Sequence, residues 1–390
     1  MNPSANGWIK KLLIDISGND YIKNSDNEIF YTKLRHSGFI YGSNMEIVDH
    51  IVDRGDFTEE EICKTNFCLA FLNTYYQHKT TENFIDSVIN FYAEINTQKT
   101  SFLQDLLGGK KSEEQLEKII HRRIQIDDNV LTKNFNYHII NALLYIDILA
   151  YQHYLRLKCI SPNYVENIEL AIEAISINVL KAKAYKNDYD ESLIKLFESS
   201  FRYAKQKNIS YQKAITLINT PLEQQYIIDL ACMATWSDHN IDDNEKDFLY
   251  KLGNDLQIDS NGTKNSIDAV NHFYTQHKDH IALLSSKNVV KSFYNNSSKM
   301  VKKLITRNSK RLYKELKDSK ELMVLLTQST VRDLTPNEQK KVQEQLLDIF
   351  KSIPSLAIFL LPGGAILLPL VIKFIPKLLP SAFDDNRIEE

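Results

Sequence analysis

The sequence predicts an all-α protein, a multi-helix bundle or array that ends in a hydrophobic helical segment broken by proline and glycine. Three observations support this fold class. The 390 residues include only 9 prolines and 11 glycines, the two residue types that helix interiors tolerate least. Apolar residues recur at helical spacing, and no alternating apolar run has the length of a strand. With 43% hydrophobic and 25% charged residues, the chain can bury a substantial core.

The first strong helical pattern lies between residues 57 and 92. It predicts two helices that are separated near residues 79–82. Thr58 is followed three residues later by Glu61, which predicts a capping box at the start of the first helix.

Residues 135–155 form the most apolar stretch of the body and are expected to be a helix at the hub of the core. Asp147 is the single charge in this stretch. A carboxylate in such a place is expected to be paired with a neighbouring Tyr, His or Lys, or otherwise to be functional. Further helices are predicted at 163–185, 190–207, 221–236, 244–256 and 264–276.

Composition divides the chain into five parts. Five of the nine prolines lie in the last forty residues, which marks a boundary near Lys351. The predicted parts are an N-terminal helical region at 1–110, a central helical region at 111–285, basic amphipathic and lead-in helices at 286–351, a hydrophobic segment at 352–383 and an acidic tail at 384–390.

Cysteine usage and the N-terminal sequence indicate a reducing, cytoplasmic setting for the body. The cysteines lack the paired spacing of a zinc knuckle and do not suggest a disulfide framework. The apolar run near the N-terminus is too short for a signal peptide. Signatures of a serine elbow, a dinucleotide turn or a catalytic cysteine are missing, so neither an enzyme nor a small-molecule substrate is predicted. The sequence leaves the oligomeric state open.

A divalent metal is the one cofactor that the sequence suggests, at Asp238, Asp242 and Glu245. Asp238 and Asp242 stand at two of the first alternate positions of a calcium loop, but the glycine and the final acid of an EF-hand are absent. The alternative is that Asp242 or Asp243 caps the next helix, with Glu245 favouring its positive end.

The surrounding segment, with Asp238, Ile241 and Glu245, resembles the helix-turn-helix unit of TerB-like tellurite-resistance domains. The resemblance covers about 60 residues, roughly 200–260, and His239 stands where that family usually has glycine. It implies a metal or stress response near membranes.

A basic segment between Lys299 and Lys320 contains nine basic residues and two acidic ones. On a helix, the basic side chains fall on one half of the circumference and the apolar ones on the other. The pattern predicts attraction to anionic lipid headgroups or to RNA phosphates, and the alternative is a solvated face whose apolar side packs on the core. The candidate binding residues are Lys302, Lys303, Arg307, Lys310, Arg311, Lys314 and Lys317.

The hydrophobic segment carries no charge between Ser352 and Ile372. It is long enough to cross a bilayer but is interrupted by helix breakers. Three arrangements remain open: a kinked single span, a re-entrant or interfacial helix pair, and an apolar hairpin packed on the body. The breakers that define the segment are Pro354, Pro362, Gly363, Gly364, Pro369, Pro376 and Pro380.

Residues 321–383 resemble the membrane segment and lead-in helices of the LETM family of mitochondrial inner-membrane proteins. The matching features are the Leu-Thr-x-x-Glu turn at 334–338, the approach at 348–354 and the Leu-Pro-Ser-x-Phe ending at Phe383. With SGFIYG at 37–42, the whole chain resembles the bacterial LETM-related biofilm-associated proteins.

The resemblance implies a non-enzymatic, membrane-associated protein on the cytoplasmic face of the bacterial inner membrane, acting in cell-envelope or biofilm physiology with membrane lipids as partners. The alternatives are a ribosome-binding or cation-homeostasis factor and a metal-responsive TerB-like sensor. Ala365 stands where the family usually has an acidic residue in the middle of the membrane segment, so the sequence gives little support for cation exchange. The family's large ribosome-binding domain is expected to be missing.

Overall fold

The computed structural model describes residues 1–18, 20–52, 57–99, 112–124, 141–161, 163–182, 209–235, 241–277, 301, 305–306, 308–332, 334–353, 356, 371–372 and 375–376. Within these ranges the chain forms α-helices, turns and one short 3₁₀ helix, without a β-strand. The predicted all-α fold class is therefore confirmed.

Fifteen α-helices lie in the described ranges. The first six are α1 (Trp8–Asp15), α2 (Tyr21–Asn24), α3 (Asn27–His36), α4 (Glu59–Tyr76), α5 (Phe84–Lys99) and α6 (Glu113–Ile124). The next six are α7 (Tyr145–Leu157), α8 (Tyr164–Ala182), α9 (Tyr211–Ile215), α10 (Pro221–Thr235), α11 (Asp243–Asp255) and α12 (Ser260–His277). The last three are α13 (Ser309–Lys317), α14 (Lys320–Gln328) and α15 (Pro336–Ser352).

These bounds test the predicted helices. The break near 79–82 is confirmed, because α4 ends at Tyr76 and α5 begins at Phe84. The helices predicted at 163–185, 221–236 and 244–256 correspond to α8, α10 and α11, and α12 begins four residues before the predicted 264. The helix predicted at 190–207 and the first part of 135–155 lie outside the described residues.

Helix α4 lies at the centre of the larger hydrophobic core and contacts α2, α3, α5, α6 and α7. Its residues from Cys63 to Thr74 are buried on every side. The predicted capping box is confirmed, since the Glu61 amide donates to Thr58 Oγ1 at 3.3 Å and the Thr58 amide donates to Glu61 Oε2 at 2.9 Å. Because α4 is buried along most of its length and contacts five helices, including α7, the hub of the core is α4 together with α7, rather than the 135–155 stretch alone.

Asp147 on α7 is fully buried and paired. Arg123 of α6 donates from Nε to Asp147 Oδ2 at 2.5 Å and from Nη2 to Oδ1 at 2.6 Å. Tyr92 of α5 donates its hydroxyl to Oδ2 at 2.7 Å. The expected pairing is confirmed, but the cation is an arginine from a distant helix. The carboxylate joins three helices and has a structural role.

The same core contains a second buried carboxylate, Asp229 of α10. It accepts from the Tyr31 hydroxyl of α3 at 2.7 Å and from Gln225 Nε2 at 3.2 Å. Arg35 of α3 lies 3.4 Å from its other oxygen. Gln225 also donates to Ser266 of α12 at 2.8 Å, so this cluster holds α3, α10 and α12 together.

The first turn of α1 is fixed by a carboxylate that lies far along the sequence. Glu117 of α6 accepts hydrogen bonds from the amides of Gly7 and Ile9, each at 3.0 Å. Trp8, Ile9 and Leu12 then bury their side chains in the larger core. Burial raises the pKa of Glu117, although the amide hydrogen bonds oppose that shift.

A separate hydrophobic cluster joins α13, α14 and α15. Each of these helices contributes fully buried side chains, so the three form a unit around their own core. The buried residues of this cluster are Val301, Ile305, Leu312, Leu316, Leu322, Met323, Leu325, Leu326, Leu334, Val342, Leu346, Phe350, Ile353, Leu356, Val371 and Ile375.

Candidate functional site

Helix α13 has two chemically different sides. At about 100° per residue, Lys310, Lys314 and Lys317 fall within an arc of about 60°, and Arg311 lies next to Lys314. All four side chains are exposed. We call this set the basic face.

None of the four cations of the basic face is in an ion pair with the described part of the chain. Two acidic residues are also exposed: Glu315 lies beyond the Arg311 edge of the face, and Asp318, which directly follows α13, lies at an angle between those of Lys314 and Arg311. The face is therefore a local positive surface in a chain whose formal net charge is −3. A local excess of positive charge on an exposed surface attracts polyanions.

The opposite side of α13 is committed to the core. Leu312 and Leu316 are 0% exposed, and Tyr313 packs partly buried against the same cluster. The described part of this helix therefore has the arrangement that the sequence offered as the alternative, in which the basic side is solvated and the apolar side packs on the core. A helix in this position cannot insert its apolar side into a lipid interface. The predicted binding residues Lys302, Lys303 and Arg307 lie outside the described residues.

The turn before α15 is held by Glu338. Its amide donates to Thr335 Oγ1 at 3.4 Å, and the Thr335 amide donates to Glu338 Oε2 at 2.8 Å, which completes a capping box. Arg332 adds a two-pronged contact to Glu338 at 2.6 and 2.9 Å. Pro336 occupies the first turn, where its missing amide is not needed. The Leu-Thr-x-x-Glu feature is thus a helix start.

Polar contacts outside the core hold α14 against α15. Glu321 accepts from Lys341 Nζ at 3.0 Å and from Gln345 Nε2 at 3.2 Å. Ser319, in front of α14, donates to Gln345 Oε1 at 3.0 Å. The orientation of the three-helix unit therefore depends on specific contacts as well as on burial.

Most of the hydrophobic segment lies outside the described residues. This applies to Pro354, Pro362, Gly363, Gly364, Pro369 and Pro380. Three apolar residues of the segment that are described, Leu356, Val371 and Ile375, are 0% exposed in the α13–α15 core, and Pro376 is half-buried. Among the described helices, none combines the length and the apolar character needed to cross a bilayer. The sequence left three arrangements open for this segment. The burial of Leu356, Val371 and Ile375 in this core agrees with the one in which the segment packs on the protein.

Two of the three predicted metal residues contact each other's backbone. The Glu245 amide donates to Asp242 Oδ1 at 2.8 Å, and the Asp242 amide donates to Glu245 Oε2 at 2.8 Å. This capping box starts α11 and engages one oxygen of each carboxylate. Asp238 lies outside the described residues, and the described residues contain no group of three ligands suited to a metal. The metal site therefore stays a prediction, and capping is the observed role of Asp242 and Glu245.

Comparison with known proteins identifies one region. The family model described as "LETM1-like, RBD" matches residues 334–390, which include α15 and the hydrophobic segment. No curated protein and no solved structure shows significant similarity to the chain. The match does not extend to the TerB-like unit and does not bear on a biofilm role.

The match corrects one expectation. From the resemblance, the ribosome-binding domain of the LETM family was expected to be missing, whereas residues 334–390 match a model of that domain type. The expectation failed because it placed the domain entirely after the hydrophobic segment, while the match begins at Leu334, before α15. Residues 334–390 are therefore similar to a domain type of the LETM family.

Proposed function

We propose that this protein is a non-enzymatic LETM-like factor that binds the ribosome through its C-terminal three-helix unit. The observation that carries the proposal is the basic face of α13, in which Lys310, Arg311, Lys314 and Lys317 are exposed and not in ion pairs within the described chain. The apolar side of α13 packs in the same hydrophobic cluster as α15, and α15 lies within the match to the LETM1-like domain.

The energetics favour a highly charged partner. Cations that contact phosphates release condensed counterions, and this release makes binding strong at low salt and weak at high salt. A ribosome surface rich in RNA provides such phosphates. Because Leu312 and Leu316 are occupied in the core, the basic face acts through charge rather than through apolar insertion.

Co-sedimentation tests the proposal. The full chain is centrifuged through sucrose with purified bacterial ribosomes at low and moderate salt, beside a variant with Lys310→Gln, Arg311→Gln, Lys314→Gln and Lys317→Gln. A matched control carries Lys10→Gln, Lys11→Gln, Lys118→Gln and Lys264→Gln, which remove the same charge from exposed positions of the larger core's helices. Wild type and control should sediment with ribosomes, and the basic-face variant should not. Equal sedimentation of all three proteins, or of none, would overturn the proposal.

A second candidate role is membrane attachment, which would place the protein at the cytoplasmic face of the bacterial inner membrane and connect it with envelope or biofilm physiology. The supporting observation is the uncharged run from Ser352 to Ile372, whose apolar length equals a bilayer span. The LETM relationship of residues 334–390 is consistent with it.

Carbonate extraction of membranes tests this second role. The full chain is compared with a version that ends at Lys351. Retention of the full chain in the membrane pellet, with release of the shortened one, is the expected result. Release of both proteins into the soluble fraction would contradict membrane attachment. The role of the segment would then be the packing of Val371 and Ile375 on the three-helix unit.

A further inference from the structure

The charges of α13 form a narrow ridge rather than a broad patch. Lys310, Lys314 and Lys317 follow one another at rises of about 6 and 4.5 Å along the helix axis, within an arc of about 60°. These steps are of the same order as the phosphate repeat along one nucleic-acid strand, about 3.4 Å of axis per phosphate in a duplex. Flexible lysine stems can adjust the remaining difference.

We propose that this ridge binds the sugar–phosphate backbone of a single RNA strand without reading its bases. This inference rests on the proposed function and names the chemistry that the basic face recognises. Each lysine amine contacts a phosphate, and Arg311 supplies a further contact at one edge of the ridge.

The side chains present on the helix explain the lack of base readout. Reading single-stranded RNA requires aromatic rings or planar groups on which bases stack. Tyr313 is the aromatic residue of α13, and its ring packs against the three-helix core. Lysine acts as a point charge and gives little geometric discrimination between bases.

The shape of the ridge favours RNA over a membrane surface. A helix that binds a lipid interface inserts its apolar side, but in α13 Leu312 and Leu316 are buried in the protein. Charge alone then remains, and the exposed acids Asp318 and Glu315 lie on the same side of the ridge as Arg311, with Asp318 nearer to the lysines. A strand can lie along the three lysines and avoid these acids, whereas a flat anionic surface extends over them.

The experiment measures binding of the full chain to short labelled RNAs without ribosomes. Fluorescence anisotropy compares oligo(U) with oligo(A) over a range of salt, for wild type and for a variant with Lys310→Gln, Lys314→Gln and Lys317→Gln. The control carries Lys11→Gln, Lys118→Gln and Lys264→Gln. Vesicles of phosphatidylcholine with and without phosphatidylglycerol provide the lipid arm. Circular dichroism confirms that each variant is folded.

For wild type and for the control, the affinities for oligo(U) and oligo(A) are expected to differ by less than about threefold, since phosphate contacts carry no sequence information. Affinity should fall less steeply with salt in the ridge variant. The magnitude of the slope of log affinity against log salt should be smaller by about 2, because three single-strand phosphate contacts are lost. An unchanged slope, a strong preference for one sequence, or charge-dependent vesicle binding without RNA binding would overturn the inference. If ribosomes still co-sediment but naked RNA is not bound, only this inference fails. If ribosomes do not co-sediment either, the proposed function fails as well.

Discussion

Arg123 and Asp147 meet inside the larger core through two parallel hydrogen bonds of 2.5 and 2.6 Å. Their side chains are 4% and 0% exposed, so the charges compensate each other in a medium that solvates them poorly. The pair links α6 to α7, and the hydroxyl of Tyr92 brings in α5. Removing either partner leaves a buried charge without its counterion.

Substitution of Asp147 is therefore expected to destabilise the fold strongly. Asp147→Ala should lower the free energy of unfolding by about 3–5 kcal/mol, because the Arg123 charge stays buried. Urea denaturation followed by circular dichroism measures this. Asp268→Ala, at an exposed position of α12, serves as control and should change stability by less than about 0.5 kcal/mol. The double variant Arg123→Leu/Asp147→Leu should be more stable than Asp147→Ala. A cost below about 1 kcal/mol for Asp147→Ala would contradict the argument.

Gly38 occupies a backbone position that other residues adopt with strain. Its φ is +84°, and a Cβ atom there would collide with the Ser43 carbonyl oxygen and with the ring of Phe273. Gly38→Ala should therefore reduce the free energy of unfolding by more than about 1 kcal/mol. Gly18→Ala is a matched control, because a Cβ atom at Gly18 meets nothing within 4 Å. Equal urea midpoints for the two variants would show that the tight turn tolerates a side chain.

Asp242 is predicted to act as a helix cap rather than as a metal ligand. Asp242→Ala should cost about 1 kcal/mol, whereas Asp242→Ser should keep most of the stability because serine also caps. Asp243→Ala tests the neighbouring acid, which is exposed and does not cap α11, and it should have a smaller effect. Thermal unfolding with a chelator and with added calcium, magnesium or zinc completes the test. A metal-dependent rise of the midpoint that is lost in Asp242→Ala would favour the metal site instead.

Glu338 is expected to make the turn before α15 sensitive to acid. The side-chain hydrogen bonds from Arg332 are the main cause that lowers the pKa of Glu338 from its ordinary value of 4.5 to about 2, and the Thr335 amide adds to the shift. A carboxylate with a lowered folded-state pKa stabilises the fold above its unfolded pKa. This contribution should be complete above pH 4.5 and should disappear as the pH falls towards 2.

The measurement is the stability of wild type and Glu338→Gln as a function of pH. Wild type should be the more stable protein near neutral pH, and the two curves should converge as the pH approaches 2. Glu344→Gln controls for an exposed glutamate of the same helix. A gap between wild type and Glu338→Gln that stays constant across this range would show that charge does not contribute.

The sequence predicted those features that depend on neighbouring residues. Thr58 and Glu61 are three positions apart, so their capping box was visible in the chain and is present in the fold. The two sides of α13 were likewise readable, because Leu312 and Leu316 repeat at helical spacing. Both features arise within one or two helical turns.

Partners from distant parts of the chain were not predictable in the same way. The cation beside Asp147 comes from α6, and the amides of α1 find their acceptor in Glu117, 110 residues after Gly7. No local pattern encodes such pairings, because they depend on how helices pack. For the same reason, the sequence left the packing of Val371 and Ile375 open as one of three arrangements, and it did not identify Leu312 as a neighbour in their cluster. Their hydrophobicity predicts burial in lipid as readily as burial in protein.

The division of α13 into a buried side and a solvated side separates two properties that mutation often changes together. Substitutions at Lys310, Lys314 or Lys317 alter the surface charge without touching Leu312 or Leu316. We therefore expect the proposed polyanion binding to be weakened stepwise by such substitutions while the melting temperature stays almost constant. This independence makes the helix a suitable place for engineering graded affinity into the protein.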